Sequence, residues 1–273
     1  MGWNRIRNYH CLFVVKGLSP EYLMSLSKDI VGRLSIAGRL LLLAVTILSG
    51  GCATTQQPIN TALPPLVHHE TTQKIPDVDV LAVSPAMEKF LERYILLYPN
   101  LQTRLHLLTT AVTSSGVLGF EYREGQTMTA AEAFDSRSGN CIGFANMMIA
   151  LARKAGLQAH YQEVFRRPQW ISRANTVLLI KHVNVVVESS RYTYVMDISG
   201  INISPNARRR IVMDDYAKAL YLNNLGAEAL LRNDLPTAYA YMEKAINTDP
   251  QMTDSWVNLG VVYGRNEQLD SAE

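Results

Sequence analysis

Cysteine is scarce in this chain of 273 residues, which encodes only Cys11, Cys52 and Cys141. Three thiols, two of them in the first 52 residues, are too few for a disulfide-stapled scaffold. Charge is also sparse, at 18% of residues and a formal net of +2. The basic excess belongs to residues 1–51, where Arg5, Arg7, Lys16, Lys28, Arg33 and Arg39 face only Glu21 and Asp29, a balance of +4. The remainder holds 20 basic and 22 acidic side chains, a net of −2, so the sequence gives no case for nucleic-acid binding by the folded part. Long apolar runs are missing too: none reaches the roughly 18–20 residues that a spanning helix needs. What is there is a globular composition, 48% hydrophobic, with room for one or two cores.

Leu40–Leu48 is an apolar stretch of signal-peptide length, preceded by Lys28, Arg33 and Arg39 and followed by Ser49-Gly50-Gly51 before Cys52. This exit resembles the lipobox of bacterial lipoproteins, with Leu48 one place further from the cysteine than usual and Ser49 in its slot. An ordinary signal peptide ahead of a chance cysteine is the other reading. Residues 1–51 are thus expected to be a leader, with Met24 the better start and Cys52 the lipidation site. Residues 52–79, rich in Thr, Gln and Pro, read as a flexible tether. The resemblance, with Ala53 after the cysteine, implies an outer-membrane anchor facing the periplasm, held firmly by several acyl chains. His68-His69 in the tether make too weak a pair for a metal site and read as solvated loop residues.

Once the leader is set aside, Cys141 is the lone thiol of the folded body. Ser138-Gly139-Asn140 opens into an apolar segment that closes with Arg153-Lys154 and Gly156, the pattern of a helix from about Cys141 to Ala155. A cysteine at a helix N-terminus sees unpaired N–H groups and the positive dipole end, which favour the nucleophilic thiolate and offer a place for an oxyanion. A small, inert core cysteine is the alternative.

Thr176–Glu188 and Arg191–Ile198, rich in β-branched residues, read as the strands of an antiparallel hairpin. With Ser189-Ser190 as the loop, Glu188 faces Arg191 and His182 falls directly opposite Asp197. Side chains so placed have Cβ atoms about 4.5–5.5 Å apart, near enough for the carboxylate to take one imidazole N–H and aim the other nitrogen at a thiol. A one-residue slip would put them on opposite faces.

Gly139-Asn140-Cys141 with Phe144-Ala145, the run Leu151–Ala159, His182-Val183-Asn184-Val185 and Val195-Met196-Asp197 together resemble the bacterial transglutaminase-like superfamily. The resemblance runs from about Thr129 to Gly200. It implies a papain-like core with Cys141 as nucleophile, His182 as base and Asp197 as orienter. Val183-Asn184 depart from the family's small residue and aromatic, and no side-chain oxyanion donor stands out. Members include peptidases, amidases, cross-linking enzymes and inactive relatives, so membership does not name the reaction.

Upstream, Ser84-Pro85 and Asn100 open amphipathic runs to Leu97 and about Val112, and Thr129-Ala130-Ala131-Glu132 has capping-box form before a helix ending near Phe134. Gln162, Glu163 and Trp170 are candidates for the cleft border, with ordinary strand or loop roles as the alternative. Asn206–Arg210 reads as a solvated linker. Beyond it a period of 34 relates Leu222 to Trp256, Leu225-Gly226 to Leu259-Gly260, Ala229 to Tyr263 and Ala238 to Ala272, with Ala245 and Pro250 completing the first unit. This matches the tetratricopeptide pattern, whose second unit is cut short at Glu273.

The expected fold is therefore α+β: a papain-like, transglutaminase-like core over residues 80–203, helices on an antiparallel sheet, then a tetratricopeptide hairpin array over 213–273. The expected function is a membrane-tethered cysteine acyl-transfer enzyme, peptidase, amidase or cross-linker, with a repeat module for peptide or protein binding. Its partners are a protein or peptide substrate, a protein on the repeats and the membrane; neither cofactor nor metal is called for. The rival is a non-catalytic periplasmic scaffold that works through its repeats.

Overall fold

A computed structural model describes residues 12–15, 63–67, 69, 74–165, 170–173, 176–179, 181–188, 193–200, 203–204 and 206–272. The leader's apolar run, Met24, Cys52 and His68 lie outside the described residues. No helix among them is long and apolar enough to cross a membrane.

Polar caps start the first helices. Ser84 Oγ accepts the Met87 N–H at the head of α1 (Pro85–Tyr94), with proline in the first turn. Asn100 does the same for α2 (Leu101–Thr113) through the Thr103 N–H. Thr129 and Glu132 form the capping box of α3 (Ala130–Ser136). The fourth helix, α4 (Cys141–Lys154), is buried without interruption from Ile142 to Ala152. A helix apolar on all sides belongs at the centre of a domain, and there α4 packs with α1 to α3 and the sheet in one core.

The sheet has five strands in the order β1 (Leu12–Val15), β8 (Thr193–Met196), β7 (His182–Glu188), β4 (Gln158–Val164) and β9 (Arg209–Val212), all antiparallel to their neighbours. Val183, Val185 and Val187 alternate into the core, which leaves His182, Asn184 and Val186 on the other face. A two-residue parallel pair, β2 (Glu121–Tyr122) with β3 (Ser138–Gly139), sets Tyr122 beside Gly139 at the entrance to α4.

Three expectations are corrected. First, the strand read as Thr176–Glu188 is two: β6 (Thr176–Leu179) pairs with β5 (Trp170–Arg173), and β7 begins afresh at His182. Lys181 stands between them with its ammonium drawn to Asp254 and Glu163. The β7–β8 register runs Val185↔Met196 to Glu188↔Thr193, two residues from the pairing expected of a Ser189-Ser190 loop. Second, the basic run is a solvated face as expected, but its end is not linker: Arg209 and Arg210 begin the edge strand β9, where Arg210 lies opposite Glu163 and binds its carboxylate at 2.6 Å. Third, the described part of the tether is packed down. Leu66 is only 7% exposed and joins an apolar cluster with Leu259, Val262 and Tyr263. Its neighbours are held by Tyr263 Oη on the Pro64 carbonyl and Asn266 Nδ2 on the Val67 carbonyl. Prolines 64 and 65 pre-extend the backbone, so docking Leu66 costs little entropy.

The C-terminal part is helical: α5 (Asp214–Leu231), α6 (Leu235–Thr248), α7 (Thr253–Arg265) and α8 (Leu269–Ala272). Its turns recur hydrogen bond for hydrogen bond. Asn233 and Glu267 both take left-handed φ, 59° and 60°, and the Asp234 N–H→Ala229 carbonyl bond is repeated by Gln268 N–H→Tyr263 carbonyl. A Cβ on Gly226 would come within 2.6 Å of Met242 on α6, and one on Gly260 within 3.2 Å of the Ala272 carbonyl on α8. Each glycine lets its helix lie close against the next. Ala217, Ala219 to Leu222, Ala245 and Met252 belong to the same apolar core as α4 and the sheet, so these helices are packed into the body.

Candidate active site

Cys141 is the first residue of α4 and is partly exposed. Asn140 caps the helix: its Oδ1 accepts the Gly143 N–H at 3.0 Å and its Nδ2 donates to Thr127 Oγ1 at 2.8 Å. The N–H groups of Cys141 and Ile142 have no partner within the helix, as geometry requires of a first turn. They leave a positive helix end beside the sulfur.

His182 is 2% exposed. Its Nε2 is hydrogen-bonded to Asp197 Oδ2, and Cys141 lies near enough to act on the ring's charge. With Nε2 taken, Nδ1 is the nitrogen left for the sulfur. Burial alone would lower the imidazolium pKa, but the Asp197 hydrogen bond and the nearby Asp197 and Cys141 side chains outweigh it and push it up to about 9. Asp197 is the converse. Burial opposes its charge, yet His182 and Ser199 hold its carboxyl below the usual range. Ser199 supplies both its N–H, at 2.9 Å, and its hydroxyl, at 2.6 Å, to Oδ1. Asn184 Nδ2 reaches Oδ2 at 3.4 Å.

Of the three sequence-derived residues, His182 and Asp197 are in direct contact and Cys141 lies near the ring, although the His–Asp contact is not the direct cross-strand pair expected. Continued past Met196, the β7–β8 register sets Asn184 opposite Asp197, with His182 diagonally adjacent on the same face. An even offset preserves the face, so the contact survives the change of register.

Of the candidates for the cleft border, Gln162 is buried opposite Asn184, and the Oε1 and Oδ1 of these two amides lack a hydrogen-bond partner among the described residues. Glu163 is turned to other work, receiving Arg210, the Tyr216 hydroxyl at 3.0 Å and Lys181. The side chain of Trp170 lies outside the described residues. Sequence reasoning missed Tyr122. Burial, then the charges of Cys141, Glu124 and Asp197, push its hydroxyl up to about 12, and its backbone pairs with Gly139 just ahead of Cys141. A two-residue strand carries no periodic signal by which to find it.

Residues 105–196 match the profile of the Transglutaminase-like superfamily. The match spans Cys141 and His182 and stops one residue short of Asp197. No curated protein and no solved structure matches the chain.

Proposed function

We propose that this protein is a cysteine acyl-transfer enzyme in which Cys141 is the nucleophile, His182 the proton carrier and Asp197 the group that orients it. The observation that carries the reading is the buried His182 ring, hydrogen-bonded to Asp197 and close enough to Cys141 that both favour its charged form. An imidazolium beside a sulfur at a helix N-terminus favours thiolate. The thiolate adds to an amide carbonyl, and the oxyanion is received by the first-turn N–H groups of α4. The imidazolium protonates the departing amine, the C–N bond breaks and a thioester remains on Cys141. Water, deprotonated by His182, releases the acid and restores the thiol; an amine in its place gives a new amide. Hydrolysis of peptide or amide substrates is the favoured outcome.

The recurring α5–α6 and α7–α8 hairpins support reading residues 213–273 as tetratricopeptide repeats that bind a peptide or protein partner. The leader pattern supports a lipid anchor on Cys52 at the periplasmic side of the outer membrane, which mass analysis of the mature N-terminus tests.

The enzyme reading is tested by acid-quenching the full chain with a mixture of peptide amides and weighing it intact. An acyl adduct on Cys141 that is absent from Cys141→Ala supports it; no adduct, and no product with water or added amine, leaves the scaffold reading.

A further inference from the structure

Two hydrogen-bonded tethers run from the C-terminal helices to the two halves of the thiol site. The first begins at Asn140, the cap of α4. Its Nδ2 donates to Thr127 Oγ1 at 2.8 Å, and the Thr127 hydroxyl donates in turn to Glu228 Oε1 on α5 at 2.7 Å. Thr127 and Asn140 are both less than a tenth exposed. The relay is directional. A carboxylate at its end can only accept, so the Thr127 proton must point at Glu228, its oxygen is free to accept from Asn140 Nδ2, and Asn140 Oδ1 is thereby turned onto the Gly143 N–H at 3.0 Å. Glu228 thus dictates the orientation of the amide next to Cys141.

The second tether begins at Lys181, the residue before His182. Its ammonium is paired with Asp254 in the first turn of α7 and lies 3.6 Å from Glu163, whose other oxygen takes Arg210. Lys181 falls between β6 and β7, outside the ladder hydrogen bonds, and its side chain is held by this ion pair. One tether secures the start of α4 and the other the start of β7, the elements that bring the sulfur and the imidazole together.

We propose that α5 and α7 are positioning elements of the thiol site, Glu228 setting the Asn140 cap through Thr127 and Asp254 setting the entry to His182 through Lys181. This rests on reading Cys141 and His182 as the reacting pair. The helices that carry the 34-residue repeat are then wired to the chemistry, and a partner bound to them has a physical route to the site.

The test is the rate of Cys141 alkylation by iodoacetamide in the full chain, followed on the Cys141 peptide from about pH 5 to about pH 10, alongside a melting curve. Glu228→Ala is expected to lower the rate at neutral pH about tenfold and to match wild type near pH 10, where ionisation no longer needs help. Glu228→Gln, whose carbonyl still accepts from Thr127, stays within about threefold. Asp254→Ala shifts the profile in the same direction by less, because Glu163 still holds Lys181. Asp77→Asn breaks ion pairs to Lys218 and Lys244 on α5 and α6 and leaves the profile unchanged. If Glu228→Ala does not fold, Thr127→Val interrupts the same relay. Superimposable profiles for wild type, Glu228→Ala (or Thr127→Val) and Asp254→Ala overturn the proposal, as does an equal change in Asp77→Asn, which would mean general loosening. Those results leave the enzyme reading standing, whereas a wild-type thiol unreactive at neutral pH overturns both.

Discussion

His182 and Asp197 are hydrogen-bonded from the end of one strand to just past the end of its neighbour, with Asn184 occupying the place directly across from the carboxylate. The carboxylate is thus shared: Oδ2 serves the imidazole and Asn184, and Oδ1 serves Ser199 twice. Saturation of this kind keeps a half-buried carboxylate ionised and fixes its plane, which in turn fixes the ring of His182.

Replacing Asp197 by Asn removes the strongest support for the imidazolium and leaves burial to act. The His182 pKa, now raised to about 9, is expected to fall toward its ordinary value near 6.5. An NMR titration of the ring measures this, and a value that stays near 9 contradicts the assignment of Asp197 as its partner.

Ser199→Ala removes one of two hydrogen bonds to Oδ1 but keeps the backbone donor. A hydrogen bond to a charged group contributes about 1.5–3 kcal/mol, and part of that is passed to the ring's orientation. The expected result is an acyl-transfer rate about tenfold lower with KM little changed. An equal loss in KM would place Ser199 in substrate binding instead.

The pair also leaves a signature in stability. His182 is raised in the folded state, so its contribution is complete below about pH 6.5 and is lost as pH rises through about 9. Asp197 is lowered, so its contribution is present above its unfolded value and is lost as pH falls through the folded one. Melting temperatures of wild type and His182→Gln should therefore converge between neutrality and pH values above 9. A gap that widens on the alkaline side contradicts this sign.

The helical part makes a contrast of two glycines. A side chain at Gly226 runs into buried Met242 and the Cβ of Tyr241, so Gly226→Leu should cost about 1–3 kcal/mol or more through overpacking. At Gly264 a Cβ meets nothing within 4 Å, and Gly264→Ala should gain up to about 1 kcal/mol of helix propensity. Thermal melts decide; similar effects at both sites would show that close helix approach at Gly226 is unimportant.

Local chemistry was legible in the residues. Ser84, Asn100, Thr129 with Glu132, and Asn140 announced helix starts because a cap is a contact over three residues. The face of His182 was legible because Val183, Val185 and Val187 must point the other way. The register was not, since alternation cannot distinguish shifts of two. Tertiary contacts were hidden for the same reason of distance: Glu228 meets Thr127 across 101 residues, and Arg210 meets Glu163 across 47. Leu66, in a Pro- and Thr-rich stretch, found a pocket that only the folded helices create.

The central claim is that His182 keeps Cys141 reactive at neutral pH. Its most direct test is Cys141 alkylation against pH in wild type and His182→Ala. The expected wild-type rate is already high near pH 7 and level to about pH 8, and His182→Ala loses that plateau and rises only with the ionisation of an ordinary thiol near pH 8.5. A wild-type curve that rises only near pH 8.5, unchanged by His182→Ala, contradicts the account.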